Sequence, residues 1–165
     1  VTVALFPGSF DPMHNGHLEV VERATRIFDE VVVATVRNPQ KSHPMFTLEE
    51  RQEMLVEALA HLPSVRIVSV STLVVNVAAD VGASVIVRGL RAVSDFENEL
   101  QMSQMNRQLS GVETVFIPTS SHFSFIASGL IKEVANFGGD VSAFVPAAVE
   151  VRIKEKFGGA GAPAR

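Results

Sequence analysis

Val31-Val32-Val33-Ala34-Thr35-Val36 is the stretch that most limits what this chain can become. An almost unbroken β-branched run with no alternation of polar residues is a strand covered on both faces, which is the habit of parallel sheets. Four further stretches read as strands: Val3-Ala4-Leu5-Phe6, Val65–Val70, Ala83–Val87 and Thr114–Ile117. Helical patterns fill the intervals. One opens at Leu18. Another has a capping box, Thr47 with Glu50, and runs to about Leu62 before Pro63. A short one is expected through Ala79, capped by Ser71 or Thr72. A long one covers Ala92–Leu109 and stops near Gly111, and one follows at Gly129–Asn136, with a last helical region before Lys156. Five strands alternating with helices predict an α/β fold, a Rossmann-like doubly wound five-stranded parallel sheet with right-handed crossovers. There is no internal repeat.

Such a sheet binds ligands beyond the carboxyl ends of its strands, where strand order reverses. The first and fourth strands usually flank that point. The turns expected after them are the most chemically loaded in the chain: Pro7-Gly8-Ser9, leading into Phe10-Asp11-Pro12-Met13-His14-Asn15-Gly16-His17, and Arg88-Gly89-Leu90-Arg91. Strand, glycine turn and helix start in that order predict an anion site, with helix N–H groups and the positive dipole end facing the ligand. His14 and His17, three apart, are expected on one side of the first turn. Gly16 between them would leave room for a flat group.

Composition narrows the function. The 165 residues suit one domain, expected over 1–157, with the Gly- and Ala-rich 158–165 a flexible tail. The chain has no cysteine, which excludes disulfides, thiolate metal sites and cysteine nucleophiles, and fits a reducing compartment. No signal peptide and no membrane span is expected. A net charge of −4 argues against broad nucleic-acid binding. Neither a P-loop nor G-x-G-x-x-G is present, so phosphates must be held another way. Arg88 and Arg91 suit phosphate oxygens, and Lys41 lies in a loop at the same sheet edge. Ser121, His122, Ser124 and Ser128 precede a helix start, a second place for anion contacts. With no activated nucleophile and no carboxylate cluster for two metals, the constellation suits direct phosphoryl or nucleotidyl transfer.

The segment Gly8-Ser9-Phe10-Asp11-Pro12 with His14-Asn15-Gly16-His17 resembles the signature of the nucleotidylyltransferase superfamily. Further segments agree in order: Pro44–Arg51, Val87–Ala92, Asp95-Phe96-Glu97, Met105-Asn106-Arg107 and Ser124-Phe125-Ile126. Over about residues 2–157 the chain is similar to the bacterial phosphopantetheine adenylyltransferases.

The resemblance implies adenylyl transfer from ATP to 4′-phosphopantetheine, giving dephospho-CoA and pyrophosphate, with Mg2+ assisting but no protein metal site, in a cytoplasmic homohexamer. It implies catalytic roles for His17, Lys41 and Arg91. ATP would meet Ser9, Phe10, His17, Gly89, Leu90, Arg91 and Glu99, and then the loop Phe123, Ser124, Phe125, Ile126, Ala127, Ser128 and Gly129. The acceptor would meet Ser9, Lys41, Arg88, Leu73, Val74, Met105 and Asn106. Ala127 and Gly129 stand where the family usually has serine, and Ser9 where it often has threonine. Backbone N–H groups at 127–129 are expected to keep ATP bound. A related transferase with another acceptor, such as nicotinate mononucleotide, and a non-catalytic nucleotide-binding module are the alternatives.

Overall fold

A computed structural model describes residues 1–37, 39 and 43–158. Lys41, one of the cations expected at the site, lies outside the described residues, as do residues 159–165 of the expected tail.

Strands β1 (Val3–Gly8), β2 (Glu30–Val36), β3 (Val65–Val70), β4 (Val85–Leu90) and β5 (Glu113–Pro118) form one parallel sheet in the order β3-β2-β1-β4-β5. Helices α1 (Asn15–Ala24), α2 (Leu48–Ala58), α3 (Val74–Val81), α4 (Val93–Ser110), α5 (Ser128–Asn136) and α6 (Ala147–Phe157) connect and cover it. Strand residues alternate between two cores. Ala4, Phe6, Val31, Val33, Val87 and Ile117 join the larger cluster with Val20, Met54, Ile131 and Val149. Leu5, Val32, Ala34 and Ile86 face the other way, toward Val77 and Ala78 of α3. Both faces of β2 are dry, which is why its sequence shows no polar alternation.

The two central strands run longer than the sequence suggests, and they part before they end. β1 continues through Pro7 and Gly8, pairing them with Ala34 and Thr35 of β2. β4 continues through Arg88-Gly89-Leu90, paired with Phe116, Ile117 and Pro118, where a turn was expected. Between β1 and β4, however, the recorded pairs are Ala4 with Val85 and Leu5 with Ile86. Beyond them the strands splay. A proline inside a central strand normally breaks a ladder, but Pro7 falls in the stretch where β1 no longer pairs with β4. The splay opens a cleft at the carboxyl edge of the sheet, at the reversal of strand order.

Helix ends differ from expectation in several places: α1 opens at Asn15, ahead of Leu18, and α5 at Ser128, one residue before Gly129. α2 stops at Ala58, short of Leu62, although its capping box forms as read, Thr47 Oγ1 accepting the Glu50 N–H and Glu50 Oε2 the Thr47 N–H. α3 begins at Val74 behind Leu73, with no side-chain cap; Thr72 Oγ1 instead accepts from Asn76 Nδ2 at 3.1 Å. α4 ends at Gly111, whose φ of 76° only glycine adopts without strain. Asn106 is the one buried residue of α4, and Val93, Phe96, Leu100, Met102, Met105 and Leu109 on it are exposed. Among the described residues no helix is long and apolar enough to cross a membrane.

Candidate active site

The turn between β1 and α1 carries a backbone rarely adopted by an aromatic residue. Phe10 has φ +46° and is buried, a conformation that costs roughly 1–3 kcal/mol and persists only where surroundings impose it. It turns the ring back under Gly8, where any Cβ would lie 2.9–3.2 Å from ring carbons, so a side chain at position 8 would force the Phe10 ring to move. The same ring meets Phe6 edge-on at 5.5 Å and His17 at 5.0 Å.

His14 is the N-cap of α1 and not a residue of its first turn, a correction to the expected helical placement. Its Nδ1 accepts the N–H groups of Gly16 (3.1 Å) and His17 (3.4 Å), while His17 Nδ1 accepts the His14 N–H at 3.2 Å. The two imidazoles therefore form a reciprocal capping box, and they stack with centroids 3.7 Å apart. The space over Gly16 is taken by the His14 ring, since a Cβ there would lie 2.9 Å from its Cε1. In the neutral rings both protons sit on Nε2, because both Nδ1 atoms accept. Asn15 N–H is also committed, to Phe144 O at 2.9 Å. The expectation that the α1 backbone N–H groups face a ligand is thus overturned: they are used up within the protein. Burial, and then the charge of Arg91, lower the His14 pKa from 6.5 to about 4, so this ring stays neutral near neutral pH.

Arg88 bridges the splay. Its Nη1 donates to Pro7 O at 2.8 Å, and its Nε and Nη2 bind both oxygens of Glu99 at 2.8 and 2.7 Å. Arg91 repeats the arrangement more loosely, Nη1 to Ile126 O at 2.9 Å, Nε and Nη2 to Asp95 at 3.1 and 3.4 Å. Asp95 and Glu99 are four apart on α4, so one helix face supplies both counter-ions. The formal charge of these four groups is zero. Each guanidinium has five N–H donors and uses three here, so it keeps donors for a ligand.

Beside Arg91, α5 begins at Ser128 behind Ala127, an N-cap with no side-chain hydrogen bond. Ser128 Oγ is turned away to Pro12 O at 2.8 Å. An uncapped helix start leaves its first N–H groups and dipole end available to an anion.

The cleft measures about 430 Å³. Of the residues expected at a site it gathers Ser9, Phe10, His17, Arg88, Gly89, Arg91, Glu99, Ala127, Ser128 and Gly129. Leu90 and Ile126 contribute carbonyls just outside it, to Thr119 and to Arg91 respectively. The Phe123 ring packs on the larger core, Ser124 Oγ donates to Ser121 O, and Phe125 is exposed with its edge to Phe144. Leu73, Val74, Met105 and Asn106 do not line the cleft: Val74 opens α3 directly behind Leu73, and Met105 and Asn106 lie on the later half of α4, beyond Glu99. Asp95, Asn98 and Thr119 do line it and were not singled out as site residues. Asp95 stands four residues after Arg91 and Thr119 directly after β5, signals the sequence carries.

The cytidylyltransferase-like family model matches residues 5–134. The chain is 54% identical over 159 residues to a phosphopantetheine adenylyltransferase of Heliobacterium modesticaldum, covering 96% of this chain and 94% of that one. It is 50% identical to the protein of the same name from Deinococcus radiodurans, covering 93% of each. In fold it is similar to a bifunctional NMN adenylyltransferase/ADP ribose pyrophosphatase from Francisella tularensis, with a TM-score of 0.72 at 12% identity, over 93% of this chain and 49% of that one.

Proposed function

This chain belongs to the phosphopantetheine adenylyltransferase family, and on that premise we propose that its cleft joins ATP to 4′-phosphopantetheine, releasing dephospho-CoA and pyrophosphate. The observation that carries the site assignment is the convergence of His17, Arg88, Arg91 and the uncapped start of α5 on one cleft at the strand-order reversal.

An acceptor phosphate oxygen attacks the α-phosphorus of ATP. The new P–O bond forms as the bond to the β-phosphate oxygen breaks, and pyrophosphate leaves with that electron pair. No group on the protein is consumed, so the catalysis is positioning and charge stabilisation. His17 donates from Nε2 to the α-phosphate oxygens as charge builds there. Arg91 and the N–H groups of Ala127, Ser128 and Gly129 hold the triphosphate, and the loss of serine hydroxyls at 127 and 129 leaves this backbone contact intact. Ser9, Arg88 and Lys41 hold the acceptor phosphate. Phe10, Gly89, Leu90 and the loop from Phe123 to Ile126 shape the nucleotide side, whereas Glu99, expected with ATP, is paired with Arg88 and acts through it on the acceptor phosphate. Leu73, Val74, Met105 and Asn106 take the pantetheine arm where it passes from the cleft toward α3 and α4.

The arginines meet the substrates already paired with carboxylates, so much of the charge of ATP must be neutralised elsewhere. Among the described residues no group of three or more His, Cys, Asp or Glu is placed to hold a metal ion. Mg2+ carried with ATP would supply that neutralisation. The exposed apolar side chains of α4 favour burial against further copies, in keeping with a homohexamer. The cysteine-free sequence suits the reducing cytoplasm. Residues 1–157 are the catalytic unit.

The test is His17→Ala. Removing one transition-state donor typically costs about 10²–10³ in rate, so kcat should fall that far while ATP affinity by calorimetry holds. A wild-type kcat would take His17 out of the mechanism.

A further inference from the structure

His17 is held on three sides. His14 stacks on it, the His14 N–H binds its Nδ1, and Phe10 meets it edge-on. The first two contacts are local to the helix start. The third depends on keeping Phe10 in a left-handed backbone conformation.

The constraint comes from residues more than thirty positions away. Asp11 is 7% exposed, and its carboxylate accepts two backbone N–H groups: Phe46 on Oδ1 and Met45 on Oδ2, both at 2.8 Å. Arg51 is 6% exposed; its Nη1 donates to Ser9 O at 2.9 Å and its Nε to Thr47 O at 3.2 Å. The residues on either side of Phe10 are thus pinned, one by each buried charge, to the segment that starts α2. That segment is itself anchored. Met45 and Phe46 are in the larger core, and Lys132 Nζ donates to His43 O at 2.8 Å. The Asp11-Pro12 motif and the Thr47–Arg51 motif are two halves of one staple.

We propose that Asp11 and Arg51 are positioning residues for His17, acting through Phe10. The charge-assisted bonds of the staple hold the turn where the Phe10 ring fixes the imidazole. A ring displaced by a fraction of an ångström donates poorly to the α-phosphate, and the rate suffers before binding does. The kinetic readout rests on the adenylyl-transfer reading; the geometric one does not.

The test is a double-mutant cycle of Arg51→Lys with His17→Ala. A lysine reaches one carbonyl in place of the two bound by the guanidinium. Arg51→Lys should lower kcat about tenfold in the wild-type background and less than about twofold once His17 is alanine, with ATP affinity held. The His17 ring resonances should shift in Arg51→Lys. Phe10→Leu, which leaves both halves of the staple intact and keeps the site apolar, should show the same non-additivity and serves if Arg51→Lys does not fold. Equal losses in both backgrounds, or unmoved His17 resonances, would overturn the proposal. Wild-type protein that forms no pyrophosphate would overturn the reaction and not the staple, which the resonances still judge.

Discussion

Arg88 and Glu99 meet as a closed fork across the splayed strands, strand residue to helix residue, with both carboxylate oxygens bound at 2.7–2.8 Å. The pair is partly buried, and the third guanidinium contact, to Pro7 O, spans the gap where the β1–β4 ladder stops. Glu99 therefore aims the cation.

Losing that aim should be felt on the acceptor. Glu99→Gln keeps one oxygen and sets an amide N–H against a guanidinium donor. A hydrogen bond to a charged group is worth about 1.5–3 kcal/mol, so KM for 4′-phosphopantetheine should rise at least about tenfold, with ATP affinity little changed. Steady-state kinetics with calorimetry checks this, and an unchanged acceptor KM would show that Arg88 needs no partner.

Asp95 should behave in the opposite way. Its contacts with Arg91 are longer, 3.1 and 3.4 Å, and more exposed, so the pair itself contributes little. Arg91 remains oriented by Ile126 O. What Asp95 adds is a negative charge beside the proposed triphosphate site. Asp95→Asn should tighten ATP binding about two- to fivefold, the scale of one partly screened charge. Weaker binding by calorimetry would mean that orientation outweighs repulsion here as well.

These opposite signs were not legible in the sequence. Arg88 and Arg91 stand out as cations, yet nothing in the spacing says that α4 lays Asp95 and Glu99 against them, because helix orientation is a matter of tertiary packing. The parallel sheet was readable, since continuous apolar runs such as Val31–Val36 answer to burial alone, and the reversal point beside the first and fourth strands followed from the habit of doubly wound folds, whereas the full strand order came from the structure. Strand ends were not: Pro7 and Gly89 signal turns locally, and pairing with β2 and β5 overrides them. The histidine motif was legible as a site but misread in detail. Histidine is an unusual N-cap, and its acceptance of backbone N–H groups removes the anion site that a strand, glycine and helix start otherwise predict.

The capping role makes His14 a pH-sensitive support. Above the ordinary histidine pKa the ring is neutral folded or unfolded, and stability does not depend on it. As pH falls below 6.5 the unfolded chain gains a proton that the folded ring, near 4, refuses, so stability is lost through that window. The loss should reach about 2 kcal/mol by about pH 5. His14→Asn keeps a cap acceptor and removes the titration. Urea unfolding of both proteins at about pH 7.5 and about pH 5 should show the wild type losing that much more. Parallel losses would mean that His14 titrates normally.

The central claim is the identity of the acceptor, and pyrophosphate release measures it directly. With ATP and Mg2+ present, pyrophosphate should form when 4′-phosphopantetheine is added and stay at background with nicotinate mononucleotide or with no acceptor. Equal or faster release with nicotinate mononucleotide would contradict the assignment.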